Sequence, residues 1–207
     1  MFYGAVSYTL PSPANASKIM DCPVCFVLKG ELIEKASHVY PFDSGAFKDR
    51  MFSDKVSEKF FLENFDLSND PKSASKIIDT LYKERKSYIV GNTRGVTEAD
   101  SICGEGEFEV REYIALLLSQ AGSNVDKRVS SFEIAFDVEI PLSEWLECVI
   151  LPDLLVTKKP LSPWVQSLID SDVELLPYSF TMRTPQTILN HLIESQFLQF
   201  CERRGYI

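Results

Sequence analysis

The chain has 207 residues, 45% hydrophobic and 25% charged, with a net charge of −9. That length and apolar fraction supply a core without staples and exclude a disordered chain. The negative balance argues against a groove that tracks a phosphate backbone, because such grooves carry a basic stripe.

Residues 2–10 are rich in aromatic and β-branched types and read as a strand that Pro11 and Pro13 end. Residues 23–29 form a short apolar run between turn signals, which predicts a buried strand. A short helix follows over 31–36, and then His38 to Phe47 reads as an ordered aromatic loop. Residues 54–64 are read as a helix. Asp70-Pro71 opens a second, to about residue 85, with Ile77, Ile78, Leu81 and Tyr82 as its apolar face. Residues 91–107 hold four glycines and make the longest loop. Helix resumes over 108–120, with Val110, Tyr113, Ile114, Leu117 and Leu118 spaced for burial.

The clearest strand pattern is 131–140. Phe132, Ile134, Phe136, Val138 and Ile140 alternate with Glu133, Ala135, Asp137 and Glu139. A turn at 141–145 leads to a strand at 146–151, a helix at 162–170 and a strand at 173–178. A long helix covers 184–203, with Thr184 as its cap, Pro185 in its first position and Gly205 after its end. No repeat or linker interrupts the pattern. The expected fold is therefore α+β: one domain over 1–207, with a curved mixed or antiparallel sheet and flanking helices.

No window approaches the ~18 apolar residues of a membrane span. Met1 to Gly4 lacks the charged start and apolar run of a secretory signal. Cys22, Cys25, Cys103, Cys148 and Cys201 are odd in number and irregular in spacing, which predicts reduced thiols in a cytoplasmic protein. Cys22-Pro23-Val24-Cys25 runs into a strand. Residues three apart on a strand point to opposite faces, so a buried thiol pair is expected in place of a metal or redox site. The basic clusters Lys83/Arg85/Lys86, Lys127/Arg128, Lys158/Lys159 and Arg203/Arg204 read as solvated patches. Glu105, Glu107 and Glu109 read as carboxylates at a helix N-terminus. His191 reads as a structural mid-helix residue. His38 lies near Tyr40 and Asp43, a grouping suited to acid–base work or to a packed aromatic loop.

The stretch from Ser131 to Leu142, with Glu133 opening the strand, then Pro141, Trp145 and the strand Glu147-Cys148-Val149-Ile150, has a recognisable layout. It resembles the C-terminal part of ADP-ribosyltransferase-like domains, including the DNA-modifying toxin type. The resemblance implies an NAD-using transferase or NAD glycohydrolase, of the kind found among toxins and defence effectors, without a metal. It implies that Glu133 is the catalytic carboxylate that stabilises the charge developing as nicotinamide leaves. Tyr3 and Gly4 would stand at the first-strand cofactor position, where the family usually has His or Arg before a small residue. His38 or Tyr40 would fill the middle position of the pattern. The competing expectation is a non-catalytic immunity or accessory domain whose acidic surface docks a protein partner. Nucleic acid is disfavoured by charge.

Overall fold

The computed structural model describes residues 1–5, 15–16, 18–49, 51, 56–98, 101–104, 106–119 and 127–207. Its strands are β1 (Asn15–Ala16), β2 (Cys25–Leu28), β3 (His38–Tyr40), β4 (Glu133–Ala135), β5 (Leu146–Pro152), β6 (Glu174–Tyr178) and β7 (Thr184–Pro185). Its helices are α1 (Ser44–Lys48), α2 (Ser73–Leu81), α3 (Arg85–Ile89), α4 (Phe108–Ser119), α5 (Leu142–Trp145), α6 (Leu154–Thr157), α7 (Pro163–Asp170) and α8 (Gln186–Arg204). Helices and small sheets, both antiparallel and mixed, make the fold α+β. Contacts gather the chain into two compact units, each built from separated segments: Met1–Tyr8 with Ile33–Val138, and Thr9–Leu32 with Glu139–Ile207.

In the first unit β3 and β4 pair antiparallel, with Tyr40 opposite Glu133 and His38 opposite Ala135. Phe2 bridges to Glu133 from the other side. Side chains alternate across this ribbon. Val39, Phe132 and Ile134 are buried, while Phe2, Glu133, Tyr40 and Ala135 are half-buried and His38 is exposed. The buried face meets a dense aromatic core. Phe42 lies 5.5–6.2 Å from the rings of Phe47, Phe60, Phe65 and Tyr113, and Phe60 stacks on Phe65 at 4.1 Å. Such rings carry the largest apolar areas available to a core. Helix α4 adds Tyr113, Ile114, Leu116 and Leu117, and the Tyr113 hydroxyl donates to the Pro41 carbonyl at 2.9 Å.

Several expectations change here for identifiable reasons. The aromatic loop at 38–47 is a strand followed by a helix, because Asp43 caps α1 by accepting from the Ala46 N–H at 2.8 Å. The 131–140 strand shrinks to β4. Beyond Ala135 no β3 residue remains to pair with it, and the Asp137 N–H goes to the Ser37 hydroxyl at 2.9 Å. Val138 is consequently 65% exposed instead of buried. The helix expected at 54–64 is non-helical over 56–61 and becomes a 3-10 turn at Leu62–Phe65, while residues 52–55 lie outside the described residues. The turn brings Phe60 and Phe65 together and leaves Phe61 57% exposed. The 71–85 helix ends at Leu81, and on α4 Val110 and Leu118 are exposed. Of the strand expected at 2–10, Phe2 forms a single bridge and residues 6–10 lie outside the described residues.

In the second unit β5 is the central strand, with β2 antiparallel on one side and β6 parallel on the other. Every residue of β5 except Glu147 is buried. A near-continuous apolar run is the signature of a strand covered on both faces. Leu146, Val149 and Leu151 pack with Val165 of α7 and with Leu155, Leu161 and Leu168. Their neighbours Cys148 and Ile150 point the other way, and α8, which packs along β5 and β6, buries Leu189, Ile193, Phe200 and Cys201. Arg203 and Arg204 at the end of α8 reach Glu174 at 2.6 and 3.3 Å. Thr184 does not cap α8. It belongs to β7, opposite Ala16, and its hydroxyl donates to the Thr181 carbonyl at 2.7 Å.

The Tyr88 hydroxyl, fully buried, donates to the Tyr3 carbonyl and accepts from the Phe132 N–H at 3.1 Å. Tyr88→Phe removes both bonds and leaves two backbone groups unpaired. It should destabilise the protein by about 1–3 kcal/mol, read as a lower urea midpoint; an unchanged midpoint would show that the bridge is not structural.

Candidate functional site

Antiparallel pairing puts directly opposed residues on one face. Phe2, Glu133 and Tyr40 therefore form a single row across the ribbon, and His38 and Ala135 form the next row on the same side. Three of the residues named from the sequence, His38, Tyr40 and Glu133, thus meet on one surface although up to 95 positions separate them (133 − 38 = 95). The Glu133 carboxylate is held from above: its Oε2 accepts from the Ser44 N–H, in the first turn of α1, at 2.6 Å. The ring of Tyr40 stacks on His38 with centroids 5.9 Å apart and planes 13° apart. Burial and the nearby carboxylates of Asp66, Glu63 and Glu133 push the Tyr40 phenol above its ordinary range.

His38 Nδ1 lies 2.6 Å from Asp66 Oδ2. The other Asp66 oxygen, Oδ1, accepts from the N–H groups of Ser68 at 2.9 Å and Val39 at 3.3 Å. Burial raises the Asp66 carboxyl, but its bonds from His38, Ser68 and Val39 outweigh that and hold it below the usual carboxylate range. An imidazole whose Nδ1 faces a fixed carboxylate keeps its proton there and offers Nε2 as the working atom. Asp66 was not legible as a site residue. It lies 28 positions from His38, in a turn whose Asp-x-Ser pattern signals only a local Asx turn.

Tyr3 and Gly4 belong to a neighbouring environment. The charges acting on the Tyr3 phenol, after burial, are those of Arg85 and Asp79, not Glu133. Gly4 sits at φ 64° with the Tyr88 ring 3.3 Å from where a Cβ would stand, so the close approach of α3 requires a glycine there.

The remaining sequence candidates have structural places. Burial pushes the Cys22 and Cys25 thiols up to about 11 and Cys148 up to about 12, which keeps them protonated and unreactive near neutrality. Glu107 accepts from the Gly104 N–H at 2.9 Å just ahead of α4, while Glu109 accepts from the Asn64 amide at 3.0 Å and ties α4 to the Leu62–Phe65 turn; Glu105 lies outside the described residues. His191 is exposed on α8. Among the described residues no three His, Cys, Asp or Glu side chains group to hold a metal ion, and no helix is long and apolar enough to cross a membrane. Comparison with protein-family profiles, with curated proteins and with solved structures finds no match.

Because the Asp66 carboxyl is depressed below the usual 3.8, the unfolded chain binds its proton first as pH falls. Its stabilising contribution is full above that value and is lost as pH drops through the folded value. Asp66→Asn should therefore flatten the decline of the urea midpoint below about pH 4 and leave the slope above pH ~5 unchanged; an identical acid limb would remove Asp66 from this role.

Proposed function

We propose that the row formed by Phe2, Glu133 and Tyr40, with His38 beside it, is the working face of an NAD-using enzyme that transfers ADP-ribose or hydrolyses NAD. The observation that supports this is the convergence of Glu133, Tyr40 and His38 on one face, from strands with no local sequence relation. The chemistry asks for a carboxylate close to the ribose, where positive charge develops as nicotinamide departs, and fixed negative charge is most effective there when it needs no reorganisation. Glu133 has one oxygen immobilised by Ser44, which leaves the other for the ribose. The flat faces of Tyr40 and His38 suit stacking against a planar ring. His38, oriented by Asp66, suits removal of a proton from the acceptor, whether water or a hydroxyl or amine of a target.

Purified protein should release nicotinamide from NAD, and Glu133→Gln should lower that rate by roughly 100-fold or more. The amide retains an oxygen for the Ser44 N–H, so the variant should keep its thermal midpoint. A wild-type protein that neither binds NAD by calorimetry nor releases nicotinamide defeats the reading, and equal rates in the two proteins remove Glu133 from its role.

A second reading, an interaction module for a basic protein partner, is supported by exposed Asp137 beside a 65% exposed Val138. It requires association with that partner to slow steeply as salt screens the acidic surface.

A further inference from the structure

The basic cluster around residue 83 is not uniform. Arg85 is committed to Asp79 through a two-point pair, Nε to Oδ1 at 2.7 Å and Nη2 to Oδ2 at 2.9 Å. Lys83 is not: together with Arg94 it borders a cavity of about 190 Å³, whose wall also includes Tyr82, Glu84, Ser87 and Gly95. Neither Lys83 nor Arg94 has a carboxylate within ion-pair distance among the described residues. The Lys83 and Arg94 side chains are exposed, and Tyr82 and Val96 beneath them are buried.

The walls are tied in place. At one end of the 92–97 turn the Asn92 N–H donates to the Ser87 carbonyl at 2.8 Å; at the other the Thr97 N–H donates to the Leu81 carbonyl at 3.0 Å. The Arg94 N–H is held by Asn92 Oδ1 at 3.1 Å. Gly95 stands at φ 83°, a left-handed position, and a Cβ there would meet nothing within 4 Å, so the space above it is open. The residues lining the cavity therefore include two cations and a serine against one carboxylate, Glu84, on an anchored frame.

We propose that this cavity binds the phosphate group or groups of a small ligand, with Lys83 and Arg94 as the charged donors and Ser87 as a hydroxyl donor. The space is large enough for this class. At ~30 Å³ per water the space holds about six waters, enough for phosphate or pyrophosphate and less than the ~300 Å³ at which drug-sized sites begin. Guanidinium and ammonium groups together supply forked and point-charge contacts to phosphate oxygens. The proposal is independent of the NAD reading and involves none of its residues.

Calorimetric titration of the whole chain with inorganic pyrophosphate tests it. Saturable one-to-one binding is expected, weakened roughly tenfold or more in Lys83→Gln and in Arg94→Gln, and unchanged in Lys158→Gln, which neutralises a cation of the other unit. Both critical side chains are exposed, and an unchanged thermal midpoint establishes that each variant folds. A parallel titration with ADP separates two sources: binding of equal strength identifies the tail of a larger compound, and pyrophosphate binding without ADP binding identifies free pyrophosphate. Absence of saturable pyrophosphate binding, or binding that all three variants preserve, overturns the proposal.

Discussion

The hydroxyl of Tyr88 is buried where an unpaired polar atom is costly, and backbone meets it from two sides, at the Tyr3 carbonyl and the Phe132 N–H. That one atom joins α3 to the first residues and to the approach of β4. It fixes where β4 begins, and so which of its residues face the core. Phe132 and Ile134 turn inward, and Glu133 is left on the other side beside Tyr40. A one-residue slip would exchange these faces. The position of the candidate carboxylate is thus coupled to the satisfaction of a buried tyrosine that bonds the backbone one residue before it.

Glu133 itself does two kinds of work. Its bond to Ser44 N–H compensates an orphan donor at the start of α1, and Asp43 compensates another. A five-residue helix has little intrinsic stability and depends on such partners. Rigidity at the carboxylate and order in α1 are coupled, which is what a preorganised site requires and also what a purely structural cap looks like. The distinction lies in the second oxygen, not in the first.

Sequence legibility followed locality. β5 was readable because all of its residues but Glu147 are buried in one near-continuous apolar run, and α4, α7 and α8 because their signals lie within each helix and its immediate flanks. The Glu133 strand was readable in type but not in length, since alternation marks a face while a strand also needs a partner, and β3 provides one only as far as His38. β3 was hidden by its own aromatic residues and by Pro41. The pairing of Asp66 with His38 and the meeting of Lys83 with Arg94 depend on chain reversals that carry no periodic signal. Thr184 misled for a related reason: in β7 it pairs with Ala16, ahead of a helix that starts only at Gln186, and its hydroxyl donates to the Thr181 carbonyl.

The order of the chain in the second unit has a kinetic side. β2 ends at Leu28, and its partner β5 begins at Leu146. At a synthesis rate of about 5–20 residues per second, an emerging β2 spends several seconds or longer with its backbone donors and acceptors unmatched. Phe26, 45% exposed even when folded, is uncovered throughout that interval. Meanwhile the residues that close the first unit, through β4, have already left the ribosome. The inserted segment can therefore complete its fold while the strand that precedes it waits, and β2 is open to association until β5 emerges to pair with it.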